Sequence, residues 1–246
     1  SVRSGSFKSC SYAQNAYIRI HWIDSENITK ENVAQIFRGI HGIIVPGGFG
    51  NRGIEGMITA AEYARKNRIP YFGICLGMQI AVIEYARNEA GLPEAHSGEF
   101  DEQCRDKVID FMPGQSDDID KGGTLRLGNY PCVIQPGTQM EHCYQRSVIQ
   151  RAHRQPLRIN NQYRELLTDA GLVISGTSLM AVWQKPSSLR IIRFISECSF
   201  IRNLQAAPTG RIRCFKDLFQ RLSMKIRNKR SEQIWRFMKN AACSEF

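Results

Sequence analysis

The sequence predicts an α/β fold: an open, mostly parallel sheet with helices on both faces. Two observations carry this expectation. Short apolar runs rich in β-formers are cut off by proline and glycine, as buried parallel strands are, and each is followed by a stretch with apolar residues at helical spacing. The connections are short, and a strand, helix, strand, helix succession so tightly joined requires parallel strands and right-handed crossovers.

Taken in order, AYIRIHWI (residues 16–23) alternates and reads as a strand, and ENVAQIFRGI (31–40) gives a short helix. HGIIVPGG (41–48) is a buried strand stopped by Pro46 and two glycines. IEGMITAAEYARKN (54–67) is a helix, RIPYFGI (68–74) the next strand, and LGMQIAVIEYARNEAG (76–91) a helix capped at Gly91. Residues 98–123 read as a loop-rich excursion, and TLRLGNYPCVIQPG (124–137) as a short hairpin or an edge strand. NNQYRELLTDAG (160–171) is a capped helix that leads into a strand, LVISGTS (172–178). Between Leu179 and Arg213 both periodicities fade, and from Ser223 onwards the pattern suits a tail helix.

A chain of 246 residues with 42% hydrophobic content can bury the core of one sizeable domain, or of a domain with an appendage. No stretch approaches the roughly 20 apolar residues of a membrane span, and SVRSGSFKSC lacks the apolar centre of a secretory signal. A cytoplasmic protein is the expectation. Eight cysteines occur without a C-x-x-C pair, so no structural zinc site or disulfide framework is expected.

The net charge of +10 raises the question of a nucleic-acid partner, and its distribution answers it. Residues 190–239 hold thirteen Lys/Arg against three Asp/Glu, which accounts for the whole excess. The charge belongs to one stretch, and no RNP-like aromatic pattern or helix-turn-helix accompanies it. A solvated basic C-terminal segment is expected rather than a nucleic-acid surface; steeply salt-dependent binding would be the sign of the latter.

In an open α/β sheet, ligands collect at the carboxyl ends of the strands, where VPGGFGNRG and GICLG should lie side by side. Gly73-x-Cys75-x-Gly77 reads as a nucleophile elbow written with cysteine: small residues let the chain turn sharply from strand to helix and leave the sulfur above the sheet. The helix N-terminus favours thiolate. The N–H of Leu76 and one from the Gly47–Gly48 loop can face a developing oxyanion. Each feature alone has a plainer reading, a buried small residue or an ordinary turn; their joint strand-loop-helix order points to nucleophilic chemistry.

Residues 42–88, GIIVPGGFGNRGIEGMITAAEYARKNRIPYFGICLGMQIAVIEYARN, closely resemble the glutamine amidotransferase domain of the CTP synthases, a branch of the class I amidotransferases. The likeness continues through HSGEF (96–100), VIDFMPGQ, KGGTLRLGNYPCVIQPG (121–137) and residues 160–178, about two thirds of the chain. The resemblance implies a fold with flavodoxin-like layers and hydrolysis of L-glutamine at a Cys-His-Glu triad through a glutamyl thioester. Position by position, it makes Cys75 the nucleophile, gives the oxyanion hole to Gly48 and Leu76, and has Gln79 and Glu99 hold the substrate's amino-acid end. It implies no cofactor in this domain. ATP, Mg²⁺ and UTP belong to a separate amidoligase domain, which receives the ammonia, makes CTP and carries the homo-oligomer contacts; neither that domain nor the family's first strand lies within the sequence.

One departure concerns the triad itself. The family's histidine and glutamate sit in a segment like VQFHPEF, whereas here the region reads ISECSFIRNLQAAPTGRIRCFKDLF, and no histidine follows His153. A second concerns QRAHRQPLR, which stands where the family has a run like ERHRHRYE that supplies an arginine to the substrate carboxylate. Reading the codons of ECSFIRNLQA one nucleotide earlier permits Val-Gln-Phe-His-Pro-Glu-Phe-Ala-Ser. Two expectations follow. Residues 151–158 and 179–214 are out-of-frame text from sequencing error or gene decay, or the chain is a diverged relative that keeps the elbow and has lost hydrolysis. As written, the arginines of residues 179–213 suit a buried strand poorly, so low order is expected there. The domain is taken as residues 1–222, followed by a basic tail, 223–246.

Overall fold

The computed structural model describes residues 18–48, 50–111, 128–153, 157–178 and 233–239. The chain begins with β1 (Ile18–Asp24), a 3₁₀ turn (Ser25–Asn27), α1 (Val33–Ile36) and β2 (Gly42–Val45). It continues through α2 (Ile54–Lys66), β3 (Tyr71–Gly73), α3 (Leu76–Asn88), β4 (Ala95–Ser97) and β5 (Asp106–Phe111). Then come β6 (Gly128–Ile134), α4 (Gln139–Tyr144), β7 (Val148–His153), β8 (Leu157–Ile159), α5 (Asn161–Asp169), β9 (Gly176–Ser178) and β10 (Gln233–Lys239).

The α/β architecture with open sheets is present, and its strands fall into three groups. The first is wholly parallel, in the order β1-β10-β2-β3. β4 pairs parallel with β5, which pairs antiparallel with β8; β6 lies between β7 and β9, antiparallel to both. The core gathers on α3. Every residue from Leu76 to Ala86 is buried, and Leu76, Ile80 and Ile83 pack in one cluster with Ile43 and Val45 of β2. Each such side chain contributes about 1.5–3 kcal/mol by leaving water, so α3 is the least removable element.

A helix so enclosed must also neutralise its polar residues. Glu84, 3% exposed, accepts from Arg65 of α2 at 2.8 and 3.0 Å and from Asn88 at 3.0 Å; Arg65 also pairs with Glu89. At its C-terminus α2 turns through Arg68, whose φ of +54° is left-handed, and Ile69 N–H closes on the Ala64 carbonyl at 2.8 Å. Helices commonly end with this bond, but glycine usually holds the left-handed position. α5 begins as read, with Asn160 accepting from Gln162 N–H at 3.1 Å.

Several sequence expectations change. Residues 106–111 form β5 inside the expected loop, held by β4 and β8 on either side. β6 is a central strand instead of an edge, because residues 148–153 and 176–178 pair with it. The helix ends at Asn88, before Gly91, although Gly91 does take a φ of +73°. The expected tail helix is in part a strand: residues 233–239 form β10, which inserts between β1 and β2 and pairs parallel with both. The out-of-frame and low-order expectations for residues 179–214 lie outside the described residues. No described helix is long and apolar enough to cross a membrane.

Candidate active site

β2 and β3 pair in register, Ile44 opposite Phe72 and Val45 opposite Gly73, so Pro46-Gly47-Gly48 and Ile74-Cys75 leave the sheet at the same end. The Ile74 N–H still donates to the Val45 carbonyl, at 2.9 Å, which holds the two exits together. Cys75 then adopts φ +60° and ψ −106°, outside the regions an L-residue occupies without strain. Such a conformation costs on the order of 1–3 kcal/mol and persists only where its surroundings impose it.

The surroundings that impose it are two glycines. A Cβ on Gly77 would stand 2.2 Å from the Val45 carbonyl oxygen, and one on Gly73 would stand 2.3 Å from the Gly77 carbonyl. β2, β3 and the first turn of α3 therefore meet backbone to backbone, a contact any side chain would open. Tyr71, a buried residue, donates its hydroxyl to the Gly77 carbonyl at 2.8 Å and ties the strand to the helix it feeds. Burial pushes its phenol well above the ordinary range, so it remains a donor. Sequence reasoning missed this brace, since a tyrosine opening a strand carries no local mark of it.

The N–H groups of Gly77, Met78 and Gln79 donate to the carbonyls of Ile74, Cys75 and Cys75 at 3.0, 3.1 and 3.2 Å. These bonds leave the N–H of Leu76 uninvolved, the one next to the candidate nucleophile. Cys75 is 7% exposed. Gln79, one turn along, is 1% exposed, and among the described residues neither Nε2 nor Oε1 of its amide has a hydrogen-bond partner. An unpaired buried amide costs about 1–3 kcal/mol, and such groups in a native fold call for an explanation, of which a polar ligand is one.

Of the residues read from the sequence, Cys75, Leu76 and Gln79 thus share one turn, and Gly48 lies in the adjoining loop. Arg52, beyond that loop, forms a two-point ion pair with Glu26 in the 3₁₀ turn, anchoring the loop's far end at the surface. Glu99 arrives on a different group of strands. α3 carries the chain away from Cys75, and β4, which packs on α3, begins the return. Arg87 marks the point of reversal: its Nε donates to the Ala95 carbonyl at 2.8 Å and its Nη1 pairs with Glu55 at 2.9 Å. Glu99 follows in a half-buried turn.

His96 lies just before that turn. Burial, and then the Arg87 charge, lower its pKa, while Glu55 and Asp101 oppose the shift. Its Nδ1 accepts the Ser97 N–H at 3.0 Å, which requires an unprotonated nitrogen there. Among the described residues no group of three or more His, Cys, Asp or Glu is arranged to hold a metal ion.

The chain matches known proteins over most of its length. The family model "Glutamine amidotransferase class-I" matches residues 5–186. CTP synthase of Listeria innocua is 52% identical over 167 residues, which are 68% of this chain and 31% of that protein. CTP synthase of Bacillus velezensis is 45% identical over 212 residues, 86% of this chain and 40% of that protein. The chain therefore spans about a third of the length of these curated relatives. Among solved structures, the Trypanosoma brucei CTPS glutaminase domain with bound acivicin matches with a TM-score of 0.66 and 36% identity, covering 71% of this chain and 67% of that one. With the family model spanning most of its length, the chain belongs to the class I glutamine amidotransferases, and within them it is similar to the amidotransferase domain of CTP synthases.

Proposed function

We propose that this chain binds L-glutamine at the Cys75 elbow and forms a glutamyl thioester there, as the ammonia-producing domain of a CTP synthase. The observation that carries this reading is the pairing of a strained cysteine at a buried helix N-terminus with an unpartnered amide, Gln79, one turn beyond it. In the reaction the Cys75 sulfur attacks the carboxamide carbon, and the oxyanion is received by the Leu76 N–H and an N–H from the Gly47–Gly48 loop. The C–N bond breaks and nitrogen leaves as ammonia, taking up a proton. Water then cleaves the C–S bond, giving glutamate and the free thiol.

Gln79 and Glu99 hold the amino-acid end. In the full-length enzyme, ammonia passes to an amidoligase domain that uses ATP, Mg²⁺ and UTP, carries the homo-oligomer contacts and works in the cytoplasm. The proton shuttle is the incomplete part. A thiol nucleophile needs a base, and no histidine follows His153. This favours a second reading, in which the chain recognises glutamine and does not turn it over.

Two measurements separate the readings. The chain is treated with a chloroketone analogue of glutamine, and ammonia release from glutamine is followed in parallel. An adduct at Cys75 suppressed by glutamine, together with ammonia release, supports hydrolysis. The same adduct without ammonia establishes the binding-only reading. A folded chain that forms no glutamine-protected adduct sinks both.

A further inference from the structure

Ser97, the last residue of β4, is fully buried, at 0% exposure. A buried hydroxyl is retained at a cost unless its hydrogen bonding is used, and here it serves the next turn. Its Oγ accepts the Glu99 N–H at 3.2 Å, and its carbonyl accepts the N–H groups of Phe100 and Asp101 at 3.0 and 3.1 Å. Its own N–H is held by His96 Nδ1 at 3.0 Å. Between the two, Gly98 donates to the Ile109 carbonyl of β5 at 2.9 Å, and a Cβ there would stand 2.9 Å from Asp110 Oδ1. The backbone on both sides of Glu99 is therefore fixed from within the protein, through Ser97, while the Glu99 side chain is carried on a half-buried turn.

We infer that Ser97 is the positioning residue for Glu99: its hydroxyl sets where the carboxylate meets the ammonium group of an amino-acid substrate, and it governs recognition without touching the thiol chemistry. The inference rests on the reading of Glu99 as a substrate-binding group. It adds a residue whose role lies one hydrogen bond away from the substrate.

Two electrophiles separate recognition from reactivity in the full chain. The chloroketone analogue of glutamine carries the amino-acid end; chloroacetone carries the same reactive group without it. The measured quantity is the ratio of their alkylation rates at Cys75. Ser97→Ala lowers the ratio about ten-fold, the effect of one lost hydrogen bond of about 1.4 kcal/mol, with the chloroacetone rate unchanged. Ser97→Thr, which keeps the hydroxyl, retains the ratio. Ser97→Cys, which replaces the oxygen acceptor of the Glu99 N–H by a weakly accepting sulfur at similar volume, lowers it and remains informative if Ser97→Ala fails to fold.

Glu99→Gln lowers the ratio at least as far, and adding Ser97→Ala to it produces no further loss. If Ser97→Ala slows both probes equally, or neither, while Glu99→Gln is selective, the positioning role is overturned and the Glu99 reading stands. If Glu99→Gln itself leaves the ratio unchanged, the Glu99 reading is overturned, and the inference with it.

Discussion

Replacing Gln79 by methionine should stabilise this protein and, on the proposed function, remove its response to glutamine. The side chain is 1% exposed, and both polar atoms of its amide are unpartnered among the described residues. Methionine has nearly the same length and volume, so the change removes an unpaired amide without opening a cavity. Relieving an unpaired buried amide is worth about 1–3 kcal/mol. At roughly 2–4 °C per kcal/mol for chains of this size, the unfolding midpoint should rise by roughly 2–12 °C. The assay is scanning calorimetry with and without saturating glutamine. The parent chain should gain stability from glutamine by mass action, and the variant should start higher and gain little. Alanine serves as a contrast, since it removes the amide but also leaves a void, and should not stabilise. A methionine variant that melts several degrees below the parent would show that the amide is satisfied in solution, and the inference of a ligand-directed Gln79 would fail.

Arg68→Gly should stabilise by about 0.5–1 kcal/mol, since a left-handed backbone costs an L-residue about 1–2 kcal/mol and glycine returns part of this through its freer unfolded state. Urea midpoints for glycine and alanine at this position test it: a glycine variant no more stable than the alanine one would show that the turn is not strained. His96 should make stability fall in mild acid. Its folded pKa lies below the ordinary value of 6.5, through burial first and Arg87 second, so the unfolded chain binds the proton more readily. That contribution is fully present above about pH 6.5, declines as the pH falls below it, and levels off once the folded pKa is passed. Stability curves from about pH 7.5 to about pH 5 should show this slope in the parent and lose it in His96→Asn, which keeps an acceptor for Ser97 N–H and does not titrate. Equal slopes in the two proteins would refute the assignment.

The elements flanking Cys75 were legible because their signals are local. β2 ends where Pro46 and two glycines follow it, α2 and α3 show helical spacing, and Gly73 and Gly77 bracket the cysteine. Chain order and short connections then suffice to bring the Gly47–Gly48 loop and Cys75 to the same end of the sheet, since parallel neighbours end on the same side. The sequence also carries the absence of a histidine after His153, a chemical fact that no fold alters. β5 was missed because DKVIDF lies among charged and turn-forming residues, and only pairing with β4 and β8 makes it a strand.

By itself, then, the sequence determined the layering and the Gly73-x-Cys75-x-Gly77 elbow, which depend on residues a few positions apart. Tertiary structure alone decided that Tyr71 braces Gly77, that the Gln79 amide is buried without a partner among the described residues, and that residues 233–239 form the strand between β1 and β2. The pairing of Ile20 with Trp235 and of Ile44 with Phe237 joins segments nearly a chain length apart. No local preference encodes such a pairing, because β-strand formation reflects the neighbours a strand acquires more than its own composition.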